Sequence, residues 1–177
     1  MNWRVTTATL MLATALPAAT AAAAPEGFRE TTRLQPIAVA LSPAALVYCS
    51  MSNTAWQADI TVRFPSLDWT RVGGYRARGT SDVRLAPWTC RALEGWLRGK
   101  SVPTLTMLGR HALTLAHELM HTRGINDESE TDCAALREMP AMLRTWFKVR
   151  NTVTLRTIMA AAWADHRSKP AAYRTVC

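Results

Sequence analysis

Residues 104–133 read TLTMLGRHALTLAHELMHTRGINDESETDC, and this stretch decides the fold. Leu108, Ala112, Leu115, Ala116 and Leu119 recur at helical spacing and form one apolar stripe. The spacing predicts a helix over 104–123, closed by Gly124. His117-Glu118-Leu119-Met120-His121, an HExxH sequence, lies on the other side of that helix. Residues four apart on a helix share a face, so both imidazoles can reach one metal ion. Glu118 is rotated about 100° from His117, where it can serve a water without being a ligand. Nitrogen and oxygen donors with one open position suit a single zinc ion. His111 falls within about 20° of Glu118, two turns earlier, and is a candidate for the side of a substrate groove.

A zinc site of this kind needs a third protein ligand. Of the chain's 13 acids, Asp127, Glu128, Glu130 and Asp132 are crowded just after the histidines. A second helix is expected from Asp127 to about Met139, with Asp127 as N-cap and Glu130 completing a capping box. Glu128 and Asp132 share the face continued by Ala135 and Met139, and inward carboxylates are costly unless paired or bound to metal. The reading is Glu128 as third ligand, with Asp132 fixing the orientation of one histidine. Asp127 is the alternative third ligand. Pro140 is expected to break or kink this helix.

Outward from this stretch, Asn151 to about His166 reads as a third helix, and Pro87 to about Arg98 as another, stopped by Gly99. Tyr75, Ala77, Val83 and Leu85, punctuated by glycines, read as a hairpin. Ile60, Val62 and Phe64 alternate with polar residues and predict a strand. Ser42-Pro43 predicts the start of a helix over Ala44 to about Asn53. Glu26 to Pro36 reads as a loose polar arm. Residues 1–24 read as a signal peptide, with Arg4, an apolar run from Val5 to Leu16 and small alanines beyond it. That run is too short for a membrane anchor. The expected fold is α+β: a single mainly helical domain over 25–177, with a small antiparallel sheet or hairpin packed on the HExxH helix.

The composition agrees with a folded exported chain. Among 177 residues, 49 % are hydrophobic and 19 % charged, which excludes a disordered polymer. Cys49, Cys90, Cys133 and Cys177 are an even set, as two disulfides require, and three pairings are open. Their spacing does not suit a four-cysteine zinc site, since no two are close in sequence. The net charge of +8 suggests an anionic partner. Yet the arginines stand singly apart from Arg71, Arg76 and Arg78, and no aromatics interleave with a basic run, so no specific nucleic acid is expected.

The order His117-Glu118-x-x-His121…Glu128-x-x-x-Asp132 resembles the gluzincin branch of zinc metallopeptidases, in a reduced form with a short connection between helices. It is also similar to small exported actinobacterial proteins that share an HExxH-x-x-G…E…C pattern, in which Cys133 takes its place. His117 to Asp127 also reads HExxHxxGxxD, similar to the aspartate variant of the metzincins, which would make Asp127 the ligand. The resemblance covers about 105–136 and implies a zincin-like domain that hydrolyses peptide or protein substrates. Glu118 would be the general base. His111, His166 and Tyr173 are candidates for the substrate or oxyanion side. A strand at Val83–Leu85 is a candidate partner for an extended substrate. The expected location is secreted, extracellular or at the cell envelope. Two other readings are a secreted zinc-binding module without catalysis, and a basic protein binding the envelope or nucleic acid.

Overall fold

In the computed structural model, residues 24–100, 104–170 and 177 are described. Residues 1–23 of the expected signal peptide, and Tyr173, lie outside the described residues. In chain order the elements are β1 (Phe28–Glu30), α1 (Gln35–Leu41), β2 (Leu46–Ser50), α2 (Asn53–Arg63), a 3-10 turn (Trp69–Arg71), β3 (Gly74–Arg76), β4 (Asp82–Leu85), α3 (Pro87–Leu97), α4 (Leu105–Thr122), α5 (Glu128–Thr145) and α6 (Thr152–Ser168). The class is α+β, mainly helical.

Helix α4 carries the HExxH sequence and runs through the middle of the core. The Thr104 hydroxyl caps it by accepting the Met107 N–H at 3.1 Å. Leu108, Ala112, Leu115, Ala116 and Leu119 are wholly buried, as the stripe requires. Helix α4 packs on α5 and α6, and also on α3, β3 and β4. At the crossing with α6, a Cβ on Gly109 would press into the Ile158 carbonyl oxygen, so this position needs glycine. Gly124 ends the helical stretch with φ +91°, a conformation that favours glycine.

The sheet has the order β1-β2-β4-β3. β1 pairs antiparallel with β2, β2 parallel with β4, and β3 antiparallel with β4 as the expected hairpin. The sheet is therefore mixed, not wholly antiparallel. The hairpin does lie on the HExxH helix: a Cβ on Gly74 would stand 3.0 Å from the Thr114 Cγ2 of α4. β3 is an edge strand and β4 an inner one.

Four local expectations need correction. Where a helix is expected over 44–53, Leu46–Ser50 forms strand β2. Val47, Tyr48 and Cys49 are all buried, and a continuous apolar run carries no period to separate the two states. Ser42 instead closes α1, donating its N–H to the Ala38 carbonyl. The strand expected at Ile60, Val62 and Phe64 is instead the end of helix α2, which runs over Asn53–Arg63 with Phe64 as its C-cap. Trp56 and Ile60, four apart, point inward while Val62 is exposed, and Ser52 caps the helix. The arm at 26–36 contains β1 and the start of α1, anchored by buried Phe28 against Trp56 and by Arg29 on Glu94 at 2.8 Å. Helix α5 passes through Pro140 to Thr145, held by buried Met139, Met142 and Leu143.

Two disulfides settle the pairing. Cys49–Cys90 ties β2 to α3, and Cys133–Cys177 ties α5 to residue 177. Such bridges fit an extracellular protein. Among the described residues, no helix is long and apolar enough to cross a membrane.

Candidate metal centre

His117, Glu118 and His121 come from the last two turns of α4, and Glu128 from the first residue of α5. The chain reverses sharply between them: the Gly124 N–H bonds the His121 carbonyl at 3.0 Å, and the Ile125 N–H bonds that of Met120 at 3.4 Å. This returns the start of α5 to the histidine face. One Glu128 carboxylate oxygen, Oε2, stands 3.0 Å from His117 Nε2 and 3.5 Å from His121 Nε2. The ligand atoms of His117, His121 and Glu128 all lie within 4.8 Å of one another.

The far side of each imidazole is fixed. His117 Nδ1 donates to Asp132 Oδ1 at 2.6 Å, and His121 Nδ1 donates to the Ile125 carbonyl at 2.7 Å. Both rings therefore turn Nε2 toward Glu128. Two imidazole nitrogens and a carboxylate oxygen, aimed at one point and braced from behind, can hold a divalent metal ion. Glu128 is the more exposed member, with 40 % of its side chain accessible, so the group opens to solvent on that side.

Asp127 is not in this group. Its carboxylate caps α5, accepting the Glu130 N–H at 2.9 Å and the Ser129 hydroxyl at 2.7 Å. Asp132 stands where the sequence reading put it, behind a histidine, and it is wholly buried. It also has partners that the sequence did not reveal. Its Oδ2 accepts His166 Nδ1 at 2.9 Å, and Lys169 Nζ reaches Oδ1 at 2.7 Å and Oδ2 at 2.8 Å.

Charge in the cluster follows from these contacts. The two imidazoles hold the Glu128 carboxyl down at about 2. Burial pushes the His117 imidazole down, but the carboxylates of Asp132 and Glu128 outweigh it and hold the ring up at about 9. His121 is likewise raised against its burial by Glu128 and Glu118. Burial raises the Glu118 carboxyl, partly offset by the neighbouring imidazoles and by a hydrogen bond from the Arg76 backbone N–H. That bond ties Glu118 to edge strand β3.

The remaining candidates are placed differently. His111 is partly buried, with Nδ1 3.2 Å from Thr89 Oγ1, and burial lowers its imidazole to about 4. It thus sits at the junction of α3 and α4. His166, expected on the substrate side, is instead buried on the far side of Asp132, one carboxylate removed from His117. The strand Val83–Leu85 cannot take up a substrate strand, because β2 and β3 pair with both its edges. Sequence reading missed Lys169 and Arg76. Lys169 is one of three lysines, with Lys100 and Lys148, and that rarity is its one signal. No protein-family model matches the chain, and no curated protein or solved structure matches it.

Proposed function

We propose that the chain is an exported zinc-dependent peptidase of reduced gluzincin type. The observation that carries this reading is the convergence of His117, His121 and Glu128, with ligand atoms within 4.8 Å, beside the buried carboxylate of Glu118. The donor set suits zinc better than magnesium or calcium, which favour oxygen ligands. Held by His117, His121 and Glu128, a zinc ion would supply Lewis acidity toward a water and a scissile carbonyl.

The chain's own residues supply the rest. His117 and His121 present Nε2 because Asp132 and Ile125 hold their Nδ1 nitrogens. Glu118 takes the proton of the attacking water and passes it to the leaving amine. The Arg76 N–H holds it for that task, and burial raises its affinity for the proton it carries. The outer edge of β3 pairs with an extended peptide, since both edges of β4 are taken by β2 and β3. The two disulfides and the apolar N-terminal run support export.

The test uses the purified chain loaded with zinc and a peptide library. One zinc per chain and cleavage are expected. Glu118→Gln should bind zinc as well as the parent and lose roughly 10²–10⁴ in kcat. Full hydrolysis by that variant, or zinc bound without cleavage of any peptide, overturns the reading; the second result supports a non-catalytic zinc-binding module.

A further inference from the structure

Asp132 has more partners than a support for one histidine needs. It is wholly buried, and a buried carboxylate needs both hydrogen bonds and a compensating charge. Lys169 Nζ bridges its two oxygens, at 2.7 and 2.8 Å. Such a bridge fixes the plane of the carboxylate. His166 Nδ1 occupies Oδ2 at 2.9 Å, and His117 Nδ1 occupies Oδ1 at 2.6 Å. Both new donors come from one short stretch. His166 lies in the last turn of α6 and Lys169 is its C-cap, with its N–H on the His166 carbonyl at 3.2 Å. His166 is itself held: Trp163 stands edge-on to its ring at 5.8 Å, and Cys177 Sγ lies 3.9 Å from its Nε2. Cys177 is bonded to Cys133, the residue next to Asp132.

We infer that Lys169 and His166 are positioning residues of the metal centre, clamping Asp132 so that His117 is held in one orientation and one tautomer with Nε2 toward the metal. The inference rests on His117 being a metal ligand, and not on peptide hydrolysis. The ammonium of Lys169 supplies the charge that buried Asp132 requires, so His117 need give it only the Nδ1 hydrogen bond. His117 then offers a lone pair at Nε2, the form a metal takes. Lys169 fixes the plane of the carboxylate, and His166 fixes which oxygen is left for His117. The Cys133–Cys177 bridge anchors this wall from behind. The clamp thus joins the C-terminal part of the chain to a site whose ligands all lie between residues 117 and 128.

The experiment is zinc affinity by competition with a chelating dye, together with the visible spectrum of the cobalt(II) form, on the full exported chain. Lys169→Met and His166→Leu should each weaken zinc binding roughly 10–100-fold, the size usual for residues that orient a ligand, and alter the cobalt bands. Lys169→Arg and His166→Asn keep a donor and should recover most of the loss. Melting temperatures of the metal-free variants separate this from general damage, since a structural role alone lowers them without touching affinity. If Lys169→Met does not fold, the comparison of His166→Leu with His166→Asn carries the test. Unchanged affinity and spectrum in the folded variants overturn the inference while leaving the metal reading intact. Failure of the parent chain to bind zinc or cobalt overturns both. Metal binding without peptidase activity, with the variants impaired as stated, supports the clamp and removes only the proposed hydrolysis.

Discussion

Asp127 and Glu128 are neighbours with opposite surroundings, and one residue of helical phase separates them. Asp127 closes the first turn of α5, while Glu128 turns back toward His117 and His121. Asp127→Ala should therefore lower the melting temperature modestly through loss of the cap and leave zinc affinity as it was. Glu128→Gln removes the carboxylate that pairs with both imidazoles, so it should lower the melting temperature of the metal-free protein and weaken zinc binding at least tenfold. Zinc titrations of the two variants decide it, and the reverse ranking would favour Asp127 as ligand. The phase that separates these residues was readable because α5 starts at Glu128, one residue from the expected start.

The same cluster sets a pH dependence. In the metal-free protein, His117 is held up at about 9 against an ordinary value of 6.5. Its contribution to stability is whole below about pH 6.5 and lost as pH rises toward 9. Glu128 is held down at about 2 against 4.5, so its contribution is present above about pH 4.5 and lost toward pH 2. The metal-free protein should thus be most stable between about pH 4.5 and 6.5, as far as this pair decides. Zinc takes the unprotonated ring, so zinc binding should tighten over the range in which the metal-free form weakens. Melting scans with chelator and with zinc, at pH 6 and pH 9, check both signs. A metal-free melting temperature that rises to pH 9 contradicts this account.

Among the elements, α4 and α6 meet most closely at Gly109, where no room exists for a Cβ beside the Ile158 carbonyl. Gly109→Ala should destabilise the protein by about 1–3 kcal/mol, although alanine is the better helix former, because overpacking outweighs propensity here. Denaturant unfolding of the variant measures this, and a stabilised variant would show that the crossing relaxes. Helices α3, α4 and α6 were legible in the sequence because each buries a stripe at helical spacing and carries its own start or stop signal. β2 was not: its run is buried on both faces and has no period. α2 was hidden because Ile60, Val62 and Phe64 alternate as in a strand, and only the aromatic cluster of Phe28, Tyr75 and Trp88 around Trp56 shows that Trp56 and Ile60 face inward. α5 beyond Pro140 was hidden for a similar reason, since tertiary burial of Met142 and Leu143 overrides the local cost of proline.

At the scale of the whole molecule, the site has a local half and a distant half. The ligands lie within twelve residues and were open to sequence reasoning. The wall behind Asp132 draws on residues 34 and 37 positions away, and no local pattern announces such contacts. The two disulfides divide along the same line, which gives a test of their separate roles. Cys49–Cys90 closes a span of 41 residues between β2 and α3, which supply neither the candidate ligands nor the partners of Asp132 described above. A loop of that size is worth about 4 kcal/mol by chain entropy, or about 10 °C in melting temperature for a domain of this length. Replacing both cysteines by alanine should cost about that much and leave zinc affinity within roughly twofold, since bridges act chiefly on the unfolded chain. Cys133–Cys177 spans 44 residues and should cost a similar amount in stability. Its sulfur also rests against His166, so its double alanine variant should lose zinc affinity as well. Measuring melting temperature and zinc affinity on both pairs separates a staple for the chain from a staple for the site, and equal affinity in the two variants would mean that the second bridge does nothing for the metal.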